Sequence, residues 1–212
     1  MLDDGLQFRP ASAQDVAAAV PLIYSSGPAA FDFVFSHDRP GQAEAFLHFA
    51  FDQGSGEFGW RNHVAAVAGD RVVAIGAGWD GSLSLRFTLA AARQIFGFFG
   101  PLRAWGVILR GLQVESIIRP AGRGEFYIGH LGVDPTTRSR GIGARLTAHL
   151  LSLTPRQRCP NAVLDVAVGN PRAQVLYERL GFTVTATRVS KLKNRYGSVG
   201  DHRRMVLPLE RA

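Results

Sequence analysis

Apolar positions along the chain repeat at helical spacing in some stretches and alternate or run together in others, and the changeovers mark the predicted elements. Residues 7–10 form a short extended start. Residues 15–24 are Ala-rich and helical, stopped by Ser25-Ser26-Gly27-Pro28. Across residues 42–51, Ala43, Phe46, Leu47 and Ala50 recur at i, i+3, i+4 and i+7, which predicts a helix opened by Pro40-Gly41 and closed by Gly54-Ser55-Gly56. Two apolar runs, 64–68 and 71–79, flank Gly69-Asp70 and predict a β-hairpin. Residues 83–118 are apolar and aromatic with an arginine every seven to ten residues, and Gly97, Gly100 and Pro101 divide them into two predicted helices. Core packing, a pocket wall and contact with a membrane surface all account for their aromatics.

The second half alternates more sharply. Residues 125–133 predict a strand, closed by Asp134-Pro135, and a polar loop over 136–140 leads to a helix opened by Gly141. Ile142, Leu146, His149, Leu150 and Leu153 share one side of that helix, which Pro155 ends. Residues 161–168 predict another strand. Asn170 then caps a helix with Pro171 at its first position, where the missing N–H costs nothing. Ala173, Leu176, Tyr177 and Leu180 make its apolar stripe, and Gly181 stands where a left-handed residue is wanted. Strands follow at 182–189 and 204–209. The order implies an α/β chain, mixed α+β in detail, with one mixed sheet covered on both faces in a single domain over residues 1–212.

Composition narrows the classes. A chain of 212 residues, 46% hydrophobic and 19% charged, can bury a core without covalent help. The single cysteine, Cys159, excludes an internal disulfide framework and a multi-cysteine zinc site, and no metal is expected. No run of 18 uncharged apolar residues occurs, so no spanning helix or stable membrane insertion is expected. The acidic N-terminus, MLDDGLQFRP, does not look like a signal peptide, so a cytoplasmic protein is expected. The net charge of +7 gathers in two places: residues 83–124 hold six Arg and one Glu, and residues 186–212 hold five Arg and two Lys against one Asp and one Glu. Neither segment carries a nucleic-acid docking motif, and no nucleic-acid partner is expected. An anionic small cofactor or solvated surface accounts for the charge.

The loop at Arg138-Ser139-Arg140-Gly141-Ile142-Gly143 is the first candidate site. Glycines admit a ligand close to the backbone, the unpaired N–H groups of a helix start attract anions, and two arginines add charge-assisted contacts. That chemistry fits phosphate or pyrophosphate. A dinucleotide fingerprint fails because Leu146 stands at its third small position, and a Walker loop fails because the only lysines are Lys191 and Lys193. A Gly-rich helix start with no ligand remains the plain alternative.

Asn170-Pro171-Arg172-Ala173-Gln174-Val175-Leu176-Tyr177, ending in Gly181-Phe182, follows 27 residues after Gly143. With the loop and the preceding Leu131-Gly132-Val133-Asp134-Pro135, it resembles the GNAT superfamily of acyl-CoA-dependent N-acetyltransferases. The resemblance is sharp over residues 125–189. It implies the GNAT fold, a mixed, mostly antiparallel sheet with helices on both faces. Residues 125–189 then form an acetyl-CoA-binding core, and residues 83–119 a helical insertion between the third and fourth strands.

The implied co-substrate is acetyl-CoA, with no metal. The implied strand at 125–133 carries a bulge and splays from its neighbour, so that the pantetheine arm adds between them. Leu131, Gly132 and Val133 would meet the acetyl and pantetheine portions. Arg138, Ser139, Arg140, Gly141, Ile142, Gly143 and Ala144 would hold the pyrophosphate, and Asn170, Ala173 and Tyr177 would complete the cofactor site. A backbone N–H would polarise the thioester, a primary amine would attack directly, and Tyr177 would protonate the departing thiolate. Helix-stripe packing is the other reading of Tyr177. Cys159 has no role in this scheme.

The proton acceptor is less plain. The positions where family bases stand match Tyr127 and Gly129, a phenol and no side chain at all. Glu125 through a water, and His130 if a bulge reverses its parity, are the candidates, with the solvent as a third. The resemblance places the acceptor near residues 29–60, which are rich in Phe, while His37, Asp38, Asp52 and Glu57 could meet a cationic amine. A hydrophobic or aromatic amine, small-molecule or peptide, is expected, with residues 83–118 capping its pocket and a homodimer left open. Two rivals stand beside this enzyme: a non-catalytic acyl-CoA sensor, and a membrane- or partner-binding protein using the aromatic insertion.

Overall fold

Seven strands pair in the order β1-β2-β3-β4-β5-β7-β6, and the chain reaches them through helices placed by its own breaks. The structure, a computed structural model, describes residues 5–209. The acidic reading of the first four residues therefore lies outside the described residues. β1 (Leu6–Pro10) precedes α1 (Val16–Ser25), α2 (Pro28–Phe35) and α3 (Gln42–Asp52). β2 (His63–Ala68) and β3 (Arg71–Asp80) form the expected hairpin, with Gly69 at φ 61° in its turn. α4 (Ser84–Glu115) follows, then β4 (Glu125–Val133), α5 (Ile142–Ser152), β5 (Asn161–Ala167), α6 (Pro171–Arg179), β6 (Thr183–Arg188) and β7 (His202–Pro208).

Two elements differ from expectation. Pro28 does not only stop a helix; it opens α2 at the first-turn position, where its lost donor has no acceptor to miss. α4 is two helices, as expected, but the break falls at Gly100 alone (φ 73°, ψ 166°), with Pro101 starting the second half, while Gly97 continues the first.

All strand pairs are antiparallel except β4 with β5. The hairpin strands alternate between two cores. Ala65 and Ile75 face the side covered by α1, α2, α3 and α4, where Phe46, Leu47, Phe51 and Val107 are buried. Ala66 and Ala74 face α5 and α6, with Leu146, Leu150 and Phe182. Both faces of one sheet are thus covered, as the pattern implied. Phe31, Phe33, Phe35, Phe46, Phe51 and Phe58 are buried and fill the first core.

Candidate active site

β4 and β5 run side by side only from Glu125↔Asn161 to Tyr127↔Val163, and the ladder stops there. β4 continues six residues further along β3 to Val133, so its opposite edge has no ladder partner among the described residues. In an α/β sheet the crevice past the carboxyl ends of parallel strands is where ligands bind. The phosphate-loop candidate follows directly on the carboxyl end of β4. Ser139 (φ 65°) and Gly141 (φ 75°) turn the chain left-handed twice, and Gly141 caps α5. The first intrahelical bond is Arg145 N–H to the Gly141 carbonyl, so the donors of Ile142, Gly143 and Ala144 have no acceptor within the helix. A Cβ at Gly141 would meet nothing within 4 Å, while one at Gly143 would come 3.2 Å from Leu176 and 3.6 Å from Val133. Gly141 therefore serves the turn and the open face, and Gly143 serves the docking of α5 on β4 and α6.

The loop arginines do not all point at the opening. Arg138 donates from Nε to the Val133 carbonyl at 3.1 Å, and Arg172 donates to Ser139 Oγ at 3.1 Å. Arg140 is exposed. Gly132 is required by the other side of the sheet, since a Cβ there would lie 2.1 Å from the Leu22 carbonyl of α1. Leu131 and Val133 pack into the α5–α6 core.

The bulge that the splayed strand was expected to carry is present. Ile75 pairs with Gly132 and Ala77 with Gly129, so His130 and Leu131 oppose the single residue Gly76. His130 takes φ 54°, a costly conformation for a residue with a Cβ. The bulge reverses its parity: it leaves the side of Phe126 and Ile128 and enters a ring cluster with Phe58 (5.1 Å), His63 (5.3 Å) and Trp79 (5.7 Å). Gly129 is bare because Trp79 lies over it, at 3.0 Å from where a Cβ would stand.

A chain of contacts sets the proton positions. His63 Nδ1 lies 2.9 Å from the Gly59 carbonyl, which can only accept, so Nδ1 carries the hydrogen. Burial pushes His63 down to about 3, so the ring is neutral and its Nε2 is an acceptor. His130 Nδ1, 3.2 Å away, must then donate to it. His130 Nε2 lies 3.3 Å from Glu57 Oε1, which can only accept, so a proton taken up at Nε2 is met by that carboxylate. His63 and Glu57 as partners of His130 were not foreseen as a unit; residues 67 positions apart meet only through the sheet.

Glu125 goes elsewhere. Its Oε2 accepts from Gly122 N–H at 2.7 Å and from Arg204 at 2.8 Å, at the paired end of β4 rather than beside the splay. Arg204 is buried and also donates to Asp165 at 2.7 Å, and Tyr127 donates to Asp165 at 3.2 Å. A buried guanidinium needs both carboxylates, and this network consumes Glu125. On α6, Asn170 Oδ1 accepts from Ala173 N–H at 3.2 Å, which caps the helix and leaves the amide NH2 for other use. Tyr177 is buried against Phe182, burial pushes its hydroxyl up to about 12, and no side chain hydrogen-bonds it among the described residues. Burial beside Asp80 likewise pushes the Cys159 thiol up, which keeps it an unreactive thiol.

The acetyltransferase (GNAT) family model matches residues 31–182. The chain belongs to the GNAT family. N-alpha-acetyltransferase 30 of Dictyostelium discoideum is 35% identical over 104 residues, covering 49% of this chain and 51% of that protein. Mycothiol acetyltransferase of Beutenbergia cavernae is 33% identical over 96 residues, covering 42% of this chain and 31% of that one. The matches thus span about half or less of these relatives' length. An N-acetyltransferase from Staphylococcus aureus Mu50 superposes with a TM-score of 0.72 at 16% identity, covering 95% of this chain and all of that one. A chain of the NatC complex bound to Gag peptide and CoA superposes at 0.55 and 18% identity, covering 97% and 99%. At these identities the structures show the fold alone.

A further cavity of about 580 Å³ opens elsewhere on this GNAT chain. Its lining includes Tyr24, Asp32, His37, Asp38, Arg195 and Tyr196. His37 and Asp38 were candidates for an amine; Asp32 was not, because it lies inside the unforeseen α2. The Asp32 carboxylate accepts from Tyr24 at 2.8 Å and Ser36 at 3.2 Å. Asn194 donates to the Phe33 carbonyl at 3.0 Å, which fixes the segment between β6 and β7 as the far wall. Tyr24 stacks on Phe31, and Phe31 is 6.2 Å from His130. Asp52 is exposed and does not line the cavity.

Proposed function

We propose that the chain is an acetyl-CoA-dependent N-acetyltransferase whose acceptor is a polar or cationic primary amine, the α-amino group of a peptide included. The observation that carries the reading is the parting of β4 from β5 after Tyr127 with the open turn of α5 following on the carboxyl end of β4. The donors of Ile142, Gly143 and Ala144, with Arg140, would hold a pyrophosphate, and Asn170 the pantetheine amide. The free edge of β4 at Leu131, Gly132 and Val133 would carry the thioester and supply the N–H that polarises its carbonyl. Acetyl-CoA thereby supplies an activated acyl group, and the chain's part is to align it with an amine and move one proton.

His130 Nε2 accepts that proton from the amine, and Glu57 faces the charge that results. This assignment favours an enzyme over an acyl-CoA sensor without a base. Tyr177 donates to the departing sulfur. Burial that raises the phenol raises a thiolate in the same pocket for the same reason, so the transfer stays balanced. The Asp32 carboxylate in the cavity, and the relative named N-alpha-acetyltransferase 30, support a peptide amine over the hydrophobic amine first expected.

Calorimetric titration with acetyl-CoA, CoA and NADH tests the cofactor half. Saturable binding of acetyl-CoA and CoA but not NADH is expected, and equal silence from all three would overturn it. Turnover of acetyl-CoA with a panel of peptides and small amines tests the acceptor half. Faster turnover with apolar aromatic amines than with peptides would return the acceptor to the earlier expectation.

A further inference from the structure

The outer surface of α4 is apolar where a solvent-facing helix would be polar. Leu85, Leu89, Leu102, Trp105, Leu109 and Leu112 are exposed by between 56% and 94%. In the first half of the helix, Leu85, Leu89 and Phe96 fall at i, i+4 and i+11, and in the second, Leu102, Trp105, Leu109 and Leu112 fall at i, i+3, i+7 and i+10. Each set is one stripe of a 3.6-residue helix. The break at Gly100 does not separate the stripes, because Phe96 meets Trp105 edge to face at 5.5 Å across it. The opposite faces are already used: Ile95, Phe99, Ala104 and Val107 are buried in the core, and Arg110 donates to the Val34 and Ser36 carbonyls. Contiguous apolar surface of this kind marks a contact with something else.

Charge says what. No Asp or Glu occurs between Gly81 and Val114, whereas Arg86 and Arg93 are exposed beside the leucines of the first half. We propose that α4 is an interfacial helical hairpin that docks this protein on an anionic lipid bilayer. The leucines enter the acyl boundary, Trp105 sits at headgroup depth, and Arg86 and Arg93 meet lipid phosphates. A second copy is a poorer occupant. A two-fold interface sets the same patch against itself, bringing arginine to arginine with no carboxylate between. Crossing the bilayer is poorer still. The segment from Gly81 to Glu115 has the length and apolar composition for it, but the break at Gly100 and the buried inner face tie it to the domain.

Docking bears on the cavity. Arg103, one residue from Leu102, pairs with Asp38 of the cavity lining at 3.1 Å, so the membrane-facing helix also holds the acceptor loop.

Co-sedimentation of the full chain with phosphatidylglycerol–phosphatidylcholine vesicles, against phosphatidylcholine alone, tests the proposal. The wild type should pellet with the anionic vesicles, release at high salt, and shift its tryptophan emission to the blue on binding. The L102S/W105S/L109S variant should partition at least about tenfold less, at about 0.8 kcal/mol lost per buried methylene, with an unchanged melting temperature. R86Q/R93Q, which leaves the apolar stripe intact, should lose only the preference for anionic lipid. Wild-type protein left in the supernatant with both vesicles would overturn the proposal. So would a dimer by light scattering that the leucine variant dissociates without any change in pelleting.

Discussion

Nδ1 of His130 lies 3.2 Å from Nε2 of His63, and because His63 is pinned by the Gly59 carbonyl, the donor in that contact must be His130. In the proposed reaction His63 is therefore a positioning residue, holding the proton-accepting nitrogen of His130 on the side of Glu57. His130→Gln should lower kcat about a hundredfold or more while leaving acetyl-CoA affinity intact. His63→Phe removes the acceptor and keeps the ring volume. It should lower kcat about tenfold and move the pH profile of kcat/KM, which a merely structural change would leave in place. An unmoved profile in His63→Phe would remove the relay.

The same burial makes His63 a cause of acid sensitivity. Its folded value of about 3 lies below the ordinary 6.5, so the unfolded chain binds the proton more readily. The stability that depends on a neutral His63 is whole above pH 6.5 and declines as the pH falls toward 3, by up to about 1.4 kcal/mol per pH unit. Denaturant unfolding from pH 7 to 4 should show that slope in the wild type and a shallower one in His63→Phe. Equal slopes would mean the acid loss comes from other groups.

What could be read from the chain follows from how local each signal is. The Asn170-Pro171 cap, the Gly141 turn and the Gly69-Asp70 hairpin depend on neighbours within a few residues, and all three stand where the pattern placed them. α2 was missed because Ser25-Ser26-Gly27-Pro28 has the composition of a breaker, and only the next turn shows that Pro28 also starts a helix. The fate of Glu125 was hidden because its partner, Arg204, lies 79 residues away on β7. The aromatic count in residues 29–60 could not decide between core and opening for a different reason: composition does not distinguish a phenylalanine that fills a core from one that lines an opening.

Tyr177 is enclosed by apolar neighbours, and its hydroxyl, held up to about 12, is protonated at any working pH. Tyr177→Phe keeps the ring packing against Phe182 and removes only the donor. Turnover should fall about tenfold to a thousandfold with little change in acetyl-CoA binding or melting temperature. A wild-type rate would return Tyr177 to the helix stripe as packing alone.

The two ends of the phosphate loop need different substitutions, because the same charge placed at each would test different things. At Gly143 a Cβ would stand 3.2 Å from Leu176, which would have to give way, so Gly143→Glu would shift the packing of α5 on α6 as well as repel an anion. Lost binding in that variant would therefore be ambiguous. Arg140 is exposed just before the turn, and Arg140→Glu changes the field at the helix start while the packing beneath stays as it is. Calorimetry should show acetyl-CoA affinity reduced by about tenfold or more, that is by about 1.4 kcal/mol, at low salt, with the gap to wild type narrowing as salt rises. The melting temperature should not move. An affinity equal to wild type at low salt would mean the anion does not sit at the start of α5, and the open edge of β4 would then have to bind its ligand without that anchor.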